Sequence, residues 1–182
     1  RPIYFTGGSY KDSEYIWMKD FLQLDGLVYK LVPIKTPVNQ ENPYQMGRIE
    51  RDRMYNIIKK WEWGNSESPD IYHDPETRKN SISFRGNLHR LANEFIDNGE
   101  FEKANEIMDL SFEKMPIDFF EYYSLSEPYI LSYYKIGENQ KAQNLYKTIE
   151  AKYLDQIKYY SISMREYEDI FDLNEFAENI FT

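Results

Sequence analysis

The chain has no cysteine. Disulfides, thiolate nucleophiles and zinc sites built on sulfur are therefore excluded, while the compartment stays open. No stretch approaches the roughly 18 apolar residues that span a bilayer; the longest strongly apolar run, residues 27–34, is interrupted by Lys30. Positive charge is also scarce: 22 Lys and Arg face 31 Asp and Glu. No basic cluster exists to displace counterions from phosphates, which excludes a nucleic-acid partner. Glycine and proline are few, 8 of each in 182 residues, so each one marks a boundary. Aromatic residues are plentiful instead. With 17 Tyr, burial relies on large rings with polar tips.

The glycines expose a repeat. Gly99 is followed five residues later by Ala104, and Gly137 five residues later by Ala142. Each glycine separates two amphipathic segments. The units are offset by 38 residues, and Pro116 lies 12 residues after Ala104. These spacings fit a tetratricopeptide-type helical hairpin of about 34 residues with a short insertion. Leu88, Leu91, Ala92, Phe95 and Ile96 form one stripe, and Phe101, Ala104, Met108, Phe112 and Met115 the next. A third helix carries Ile130, Tyr133 and Tyr134 after Pro128, and a fourth carries Ala142, Leu145, Tyr146, Ile149 and Tyr153. Small residues at 92, 104 and 142 let paired helices approach closely. The fourth helix is expected to stop near residues 151–155, and Asp172 with Glu175 forms a capping box for a last helix.

The first half has another pattern. Residues 3–6 read as a short strand, Ser9 or Asp12 caps a helix running to about Leu24, and residues 27–32 make the best strand, ended by Pro33. That order suggests one βαβ unit with a right-handed crossover if its strands are parallel. Met54, Ile57, Ile58 and Trp61 place a helix over residues 48–61, and residues 64–81 read as a loop. The expected fold class is α+β, mostly helical. A βαβ-like N-terminal part with an extra helix (1–82) precedes tetratricopeptide-like hairpins (83–182), the two forming one cooperative body. Charge divides the same way: residues 1–83 hold 12 basic and 12 acidic side chains, residues 84–182 hold 10 and 19. The acidic half is a solvated helix surface or a docking face for a basic partner.

No constellation demands chemistry. Thr6-Gly7-Gly8-Ser9 follows a strand but lacks the spaced glycines and lysine of a phosphate loop. Asp70, His73, Asp74 and Glu76 could ligate a metal, yet sit among prolines that make an ordinary turn. His89 has no evident Ser or Cys partner, and Glu166, Glu168 and Asp169 suit a solvated face. No catalytic, metal or cofactor residue is assigned. Trp61 and Trp63 read as core packing at the joint, or as contact with a membrane surface or neighbouring domain. Tyr122, Tyr123, Tyr129, Tyr133 and Tyr134 either pack in the core or line a groove for a peptide or sugar.

Some strings are more specific. Arg1-Pro2-Ile3-Tyr4-Phe5, then Leu22-Gln23-Leu24-Asp25-Gly26-Leu27-Val28-Tyr29-Lys30-Leu31-Val32-Pro33-Ile34, Gly47-Arg48-Ile49, Met54-Tyr55 and Trp63-Gly64 follow in order. Together they resemble the soluble C-terminal region of a bacterial family of polytopic membrane proteins, catalogued as a domain of unknown function and similar to protein O-mannosyltransferases. The likeness covers residues 1–163, most strongly to residue 64. It implies a parent whose missing N-terminal part spans the membrane and whose catalytic carboxylates lie there. No catalytic residue maps onto this chain. The chain, beginning Arg1-Pro2, is expected to be a piece of that parent. It would be a non-catalytic extracytoplasmic (periplasmic) domain that positions acceptor proteins or braces its own transmembrane core. The alternative is an adaptor that binds peptides or proteins through a helical-repeat groove.

Overall fold

The structure, a computed structural model, describes residues 1–6, 17–36 and 46–167, with side chains to residue 161. Gly7-Gly8, the first part of the helix expected from Ser9 or Asp12, the polar loop near Asn39 and Asn42, Glu168, Asp169 and the Asp172 capping box lie outside that description, as does the side chain of Glu166.

Among the described residues the protein is α+β and mostly helical. Strands β1 (Tyr4–Thr6), β2 (Leu22–Asp25), β3 (Val28–Leu31) and β4 (Arg48–Ile49) form one sheet in the order β1-β3-β2-β4. Six helices follow: α1 (Arg51–Ile58), α2 (Pro75–Asp97), α3 (Phe101–Lys114), α4 (Ile117–Phe120), α5 (Glu127–Lys135) and α6 (Asn139–Tyr167).

The sheet corrects the expected βαβ unit. β1 and β3 are adjacent and antiparallel, with Phe5 opposite Tyr29. Residues Leu22–Asp25, expected at the end of a helix, are a strand that pairs antiparallel with β3, Leu24 opposite Tyr29. Only β2 and β4 run parallel. The physical reason lies in residues 22–28. Leu22 and Leu24 alternate with Gln23 and Asp25, so a strand buries both leucines on one face, and both are fully buried. Asp25 pairs with Val28 across Gly26-Leu27. Gly26 has φ +76, the positive value a two-residue hairpin needs at its first central position. A Cβ at Gly26 would stand 2.7 Å from Trp61 Cζ2, so this turn is also a packing surface.

Two further boundaries differ. The helix expected over residues 48–61 begins later, at Arg51, after Arg48–Ile49 joins the sheet; the Glu50 carboxylate caps it by accepting from Arg53 N at 2.9 Å. The loop expected to residue 81 ends at Asp74. The Asp74 carboxylate accepts from Glu76 N and Thr77 N, and Pro75 occupies the first turn of α2, where it has no hydrogen bond to lose. Residues 82 and 83 therefore both lie inside α2.

The helical part follows the glycines. α2 and α3 meet through Asn98-Gly99-Glu100, and α5 and α6 through Ile136-Gly137-Glu138, with φ +75 and +84 at the glycines. Ala92, Ala104 and Ala142 are fully buried. The insertion between hairpins is α4 followed by a 3-10 turn, Tyr123–Leu125. The stop expected near residues 151–155 is absent, because α6 continues to Tyr167. One apolar core runs from Leu22 and Leu24 through Met54, Leu91, Phe95 and Ile107 to Ile149. α1 joins sheet to helices: its Tyr55 ring meets Phe95 edge-on at 5.7 Å. Lys103 bridges Asp52 and Glu100 at 2.9 and 2.8 Å beside it. Such exposed pairs add little stability individually.

Candidate binding cleft

A cleft of about 340 Å³ opens where sheet, α1 and helical part meet. The chain leaving α1 supplies Trp61 and Trp63, the β2–β3 turn supplies Leu27, α2 supplies Asn80 and Phe84, and the segment after α3 supplies Met115 and Phe120. Trp61, Trp63 and Phe84 touch one another, with centroids 5.4–5.5 Å apart. They form one aromatic wall. Asn87 Nδ2 donates to Gly26 O at 2.9 Å and Arg90 Nη2 to Gly47 O at 2.8 Å, so α2 fixes the sheet that closes this side.

The polar side chains of the cleft are mostly committed to the fold. Ser66 Oγ donates to Lys114 O at 2.6 Å, Ser81 Oγ to Arg78 O at 2.7 Å, and Thr77 Oγ1 to Asp74 Oδ2 at 2.8 Å. His73, buried, donates from Nε2 to Ser66 O at 2.9 Å and lies against Phe120 with centroids 4.5 Å apart. Glu62 and His73 are the titratable lining residues. The arrangement suits an apolar or aromatic group of a ligand held against the tryptophan wall.

Three of the four loop residues weighed as metal ligands have other partners. His73 holds the Ser66 carbonyl, Asp74 caps α2, and Glu76 pairs with Lys79 at 2.6 Å. Among the described residues no group of three or more such side chains could hold a metal ion.

The five tyrosines do not line one groove. Tyr129 has no exposed surface; its hydroxyl donates to Arg85 O at 2.8 Å and lies 3.1 Å from Ser111 Oγ. Tyr133 is buried and donates to Asp109 Oδ1 at 2.9 Å. Burial pushes the pKa of both phenols up. Tyr123 is half-buried and edge-on to Tyr153 at 5.8 Å, Tyr122 adopts a left-handed backbone with φ 46, and only Tyr134 is exposed. Two of the five are therefore core residues, because their ring positions fall on the face of α5 that meets α2 and α3. The open groove between α5 and α6 has other residues: Ile130, Leu131, Tyr146 and Leu154, rimmed by Glu127 and Glu150.

Two buried polar centres escaped the sequence reading. Arg85 is fully buried, and among the described residues it has no carboxylate partner. Its Nη1 donates to Glu121 O at 3.1 Å and to Ser126 Oγ at 3.2 Å, its Nη2 donates to Met115 O, and the guanidinium lies 5.5 Å from the Phe112 ring centroid. Met115 and Glu121 follow the C-terminal ends of α3 and α4, so the cation meets the negative ends of two helices. Burial lowers its pKa to about 10, leaving it charged at neutral pH. Its signal was its position, three residues before Leu88 on the buried stripe of α2. His89, read as lacking a Ser partner, has one: Nε2 lies 2.9 Å from Ser132 Oγ, which donates toward Asn93 Oδ1 at 3.1 Å. Ser132 is buried and 43 residues away in sequence, which is why spacing could not reveal the pair. Burial lowers the His89 pKa to about 4.

Among the described residues no helix is long and apolar enough to cross a membrane. No curated protein and no solved structure matches the chain. Residues 1–53, which hold the four described strands and the first three residues of α1, match the family model of TMEM260-associated domain 2, a membrane-protein-associated domain.

Proposed function

We propose that the chain is a non-catalytic, extracytoplasmic domain of a membrane glycosyltransferase-like protein that positions acceptor proteins or braces the membrane core. The carrying observation is the match over residues 1–53 to a membrane-protein-associated domain, which falls within residues 1–64, where the resemblance to the soluble region of mannosyltransferase-like membrane proteins is strongest. The cleft supports it physically. Its Trp61–Trp63–Phe84 wall stands where the matched region meets the helical part, and it suits a hydrophobic anchor of an acceptor or of the parent's own membrane part. In this reading the parent is a protein O-glycosyltransferase, its catalytic carboxylates lie outside this chain, and this chain binds no cofactor.

The test is the parent protein with and without residues 1–182, both verified as membrane-inserted, scored for sugar on envelope proteins. Loss of modification, or its restriction to fewer acceptors, supports substrate presentation; unchanged modification leaves bracing or a separate partner. A cytoplasmic location for these residues would overturn the reading. The second reading, an adaptor for peptides, is favoured by the apolar groove between α5 and α6, whose Leu131 and Leu154 are 67 % and 60 % exposed. Capture of peptides by this groove in a parent without membrane spans would establish it.

A further inference from the structure

Three segments lie side by side at one end of the sheet. Leu31 N donates to Ile3 O at 2.9 Å, Val32 N to Phe21 O at 2.9 Å and Thr36 N to Asp20 O at 2.6 Å. Residues 1–3, 17–21 and 31–36 are therefore tied into one surface. Four of its large apolar side chains are exposed, Trp17 at 75 %, Ile3 at 52 %, Ile34 at 47 % and Phe21 at 38 %, while Val32 is buried and Met18 packs against the core. A shallow groove runs between Ile3, Phe21 and Pro33. The core of the sheet is complete without them, since Leu22, Leu24 and Tyr29 already fill it. The charged side chains among these three segments are Arg1, Lys19 and Lys35, all exposed, and a single acid, the half-buried Asp20.

We infer that this end of the sheet rests on an anionic lipid surface. A bulky aromatic and aliphatic tip flanked by Arg1, Lys19 and Lys35, with Asp20 as the one acid among the described residues of these three segments, matches the composition of a shallow interfacial contact. The rings enter the headgroup boundary while the cations stay with the lipid phosphates. A protein partner of complementary shape would not require the excess of positive charge. The surface lies wholly within residues 1–53, the region matched by a membrane-protein-associated domain. The inference concerns a different surface from the tryptophan cleft, and its test needs no parent protein, so it can fail while the proposed function stands.

The experiment is co-sedimentation of residues 1–182 with phosphatidylcholine vesicles, with and without phosphatidylglycerol, at low and high salt. Retention on the phosphatidylglycerol vesicles at low salt, and release at high salt, is expected. Lys19→Glu with Lys35→Glu alters exposed charges only and should weaken retention at least about tenfold, since each basic residue near an anionic surface contributes about fivefold. Brominated phosphatidylcholine in the same vesicles should quench tryptophan emission in the wild type. Trp17→Phe should abolish that quenching while the protein still sediments. Absence of retention on anionic vesicles, equal retention of the charge-reversal variant, or persistent quenching in Trp17→Phe would each overturn the inference. The last result would shift the contact to Trp61 and Trp63.

Discussion

Arg85 is the residue on which the segment between the two hairpins depends. Glu121 and Tyr122 are consecutive non-glycine residues with φ 50 and 46, a conformation that costs of order 1–3 kcal/mol per residue. Arg85 holds the Glu121 carbonyl, and Arg78 Nη1 holds the Glu121 carboxylate at 2.7 Å. Arg85→Met should therefore destabilise by about 3 kcal/mol in urea unfolding, by orphaning buried acceptors. Arg85→Lys should recover little, because a point charge cannot reach three acceptors in two directions. His89 gives a pH prediction. Its folded pKa is near 4 against an ordinary value of 6.5, so the unfolded chain binds the proton more readily. Stability is full above pH 6.5 and declines as the pH falls toward 4, by up to about 3 kcal/mol. Unfolding at pH 7 and pH 5 should show a smaller loss in His89→Gln than in the wild type. An equal loss would place the titration elsewhere.

At the scale of elements, the two kinds of turn behave differently. Gly26 is constrained by both φ and Trp61, so Gly26→Ala should lower stability by about 2 kcal/mol or more and perturb the environment of Trp61. In Gly99 and Gly137 a Cβ would meet nothing within 4 Å, so alanine there costs only the backbone strain. Ala104 and Ala142 seat the second helix of each hairpin. Leucine at either position should cost about 1–3 kcal/mol by overpacking, read as a shift in unfolding midpoint. These glycines and alanines were legible in the sequence because a helical hairpin is a local object with its own period. The β2–β3 hairpin differs from the expected helix end although Gly26 after the alternating Leu22–Asp25 is a signal for a turn opened by glycine. Met18 and Leu22 also continue a helical stripe from Tyr15, and only burial of Leu22 and Leu24 against α1 decides between the two periods.

At the scale of the whole molecule, the core crosses the boundary that charge suggested. Tyr55 on Phe95, Trp61 on Phe84 and Asn87 on the Gly26 carbonyl all join the first half to α2. Unfolding followed by tryptophan emission, which reports the cleft, should therefore coincide with loss of helix followed by far-ultraviolet circular dichroism. A stable folded fragment of residues 84–182 after limited proteolysis would refute this single-body behaviour.

What the sequence determined by itself is what depends on neighbours a few residues away. This includes the mostly helical α+β class, the glycine-turned hairpins, the buried alanines, the strand before Pro33, and the match of residues 1–53 to a membrane-protein-associated domain. Tertiary structure alone decided which aromatic rings sit together in the cleft and which tyrosines are core. It also decided that Arg85 closes the ends of two helices, that His89 meets Ser132, and that Ile3, Phe21 and Pro33 line one shallow groove. Those outcomes rest on contacts between residues tens of positions apart, and such contacts leave no period in the sequence. Burial makes each one specific, because a polar group removed from water must find its partner wherever the fold brings one.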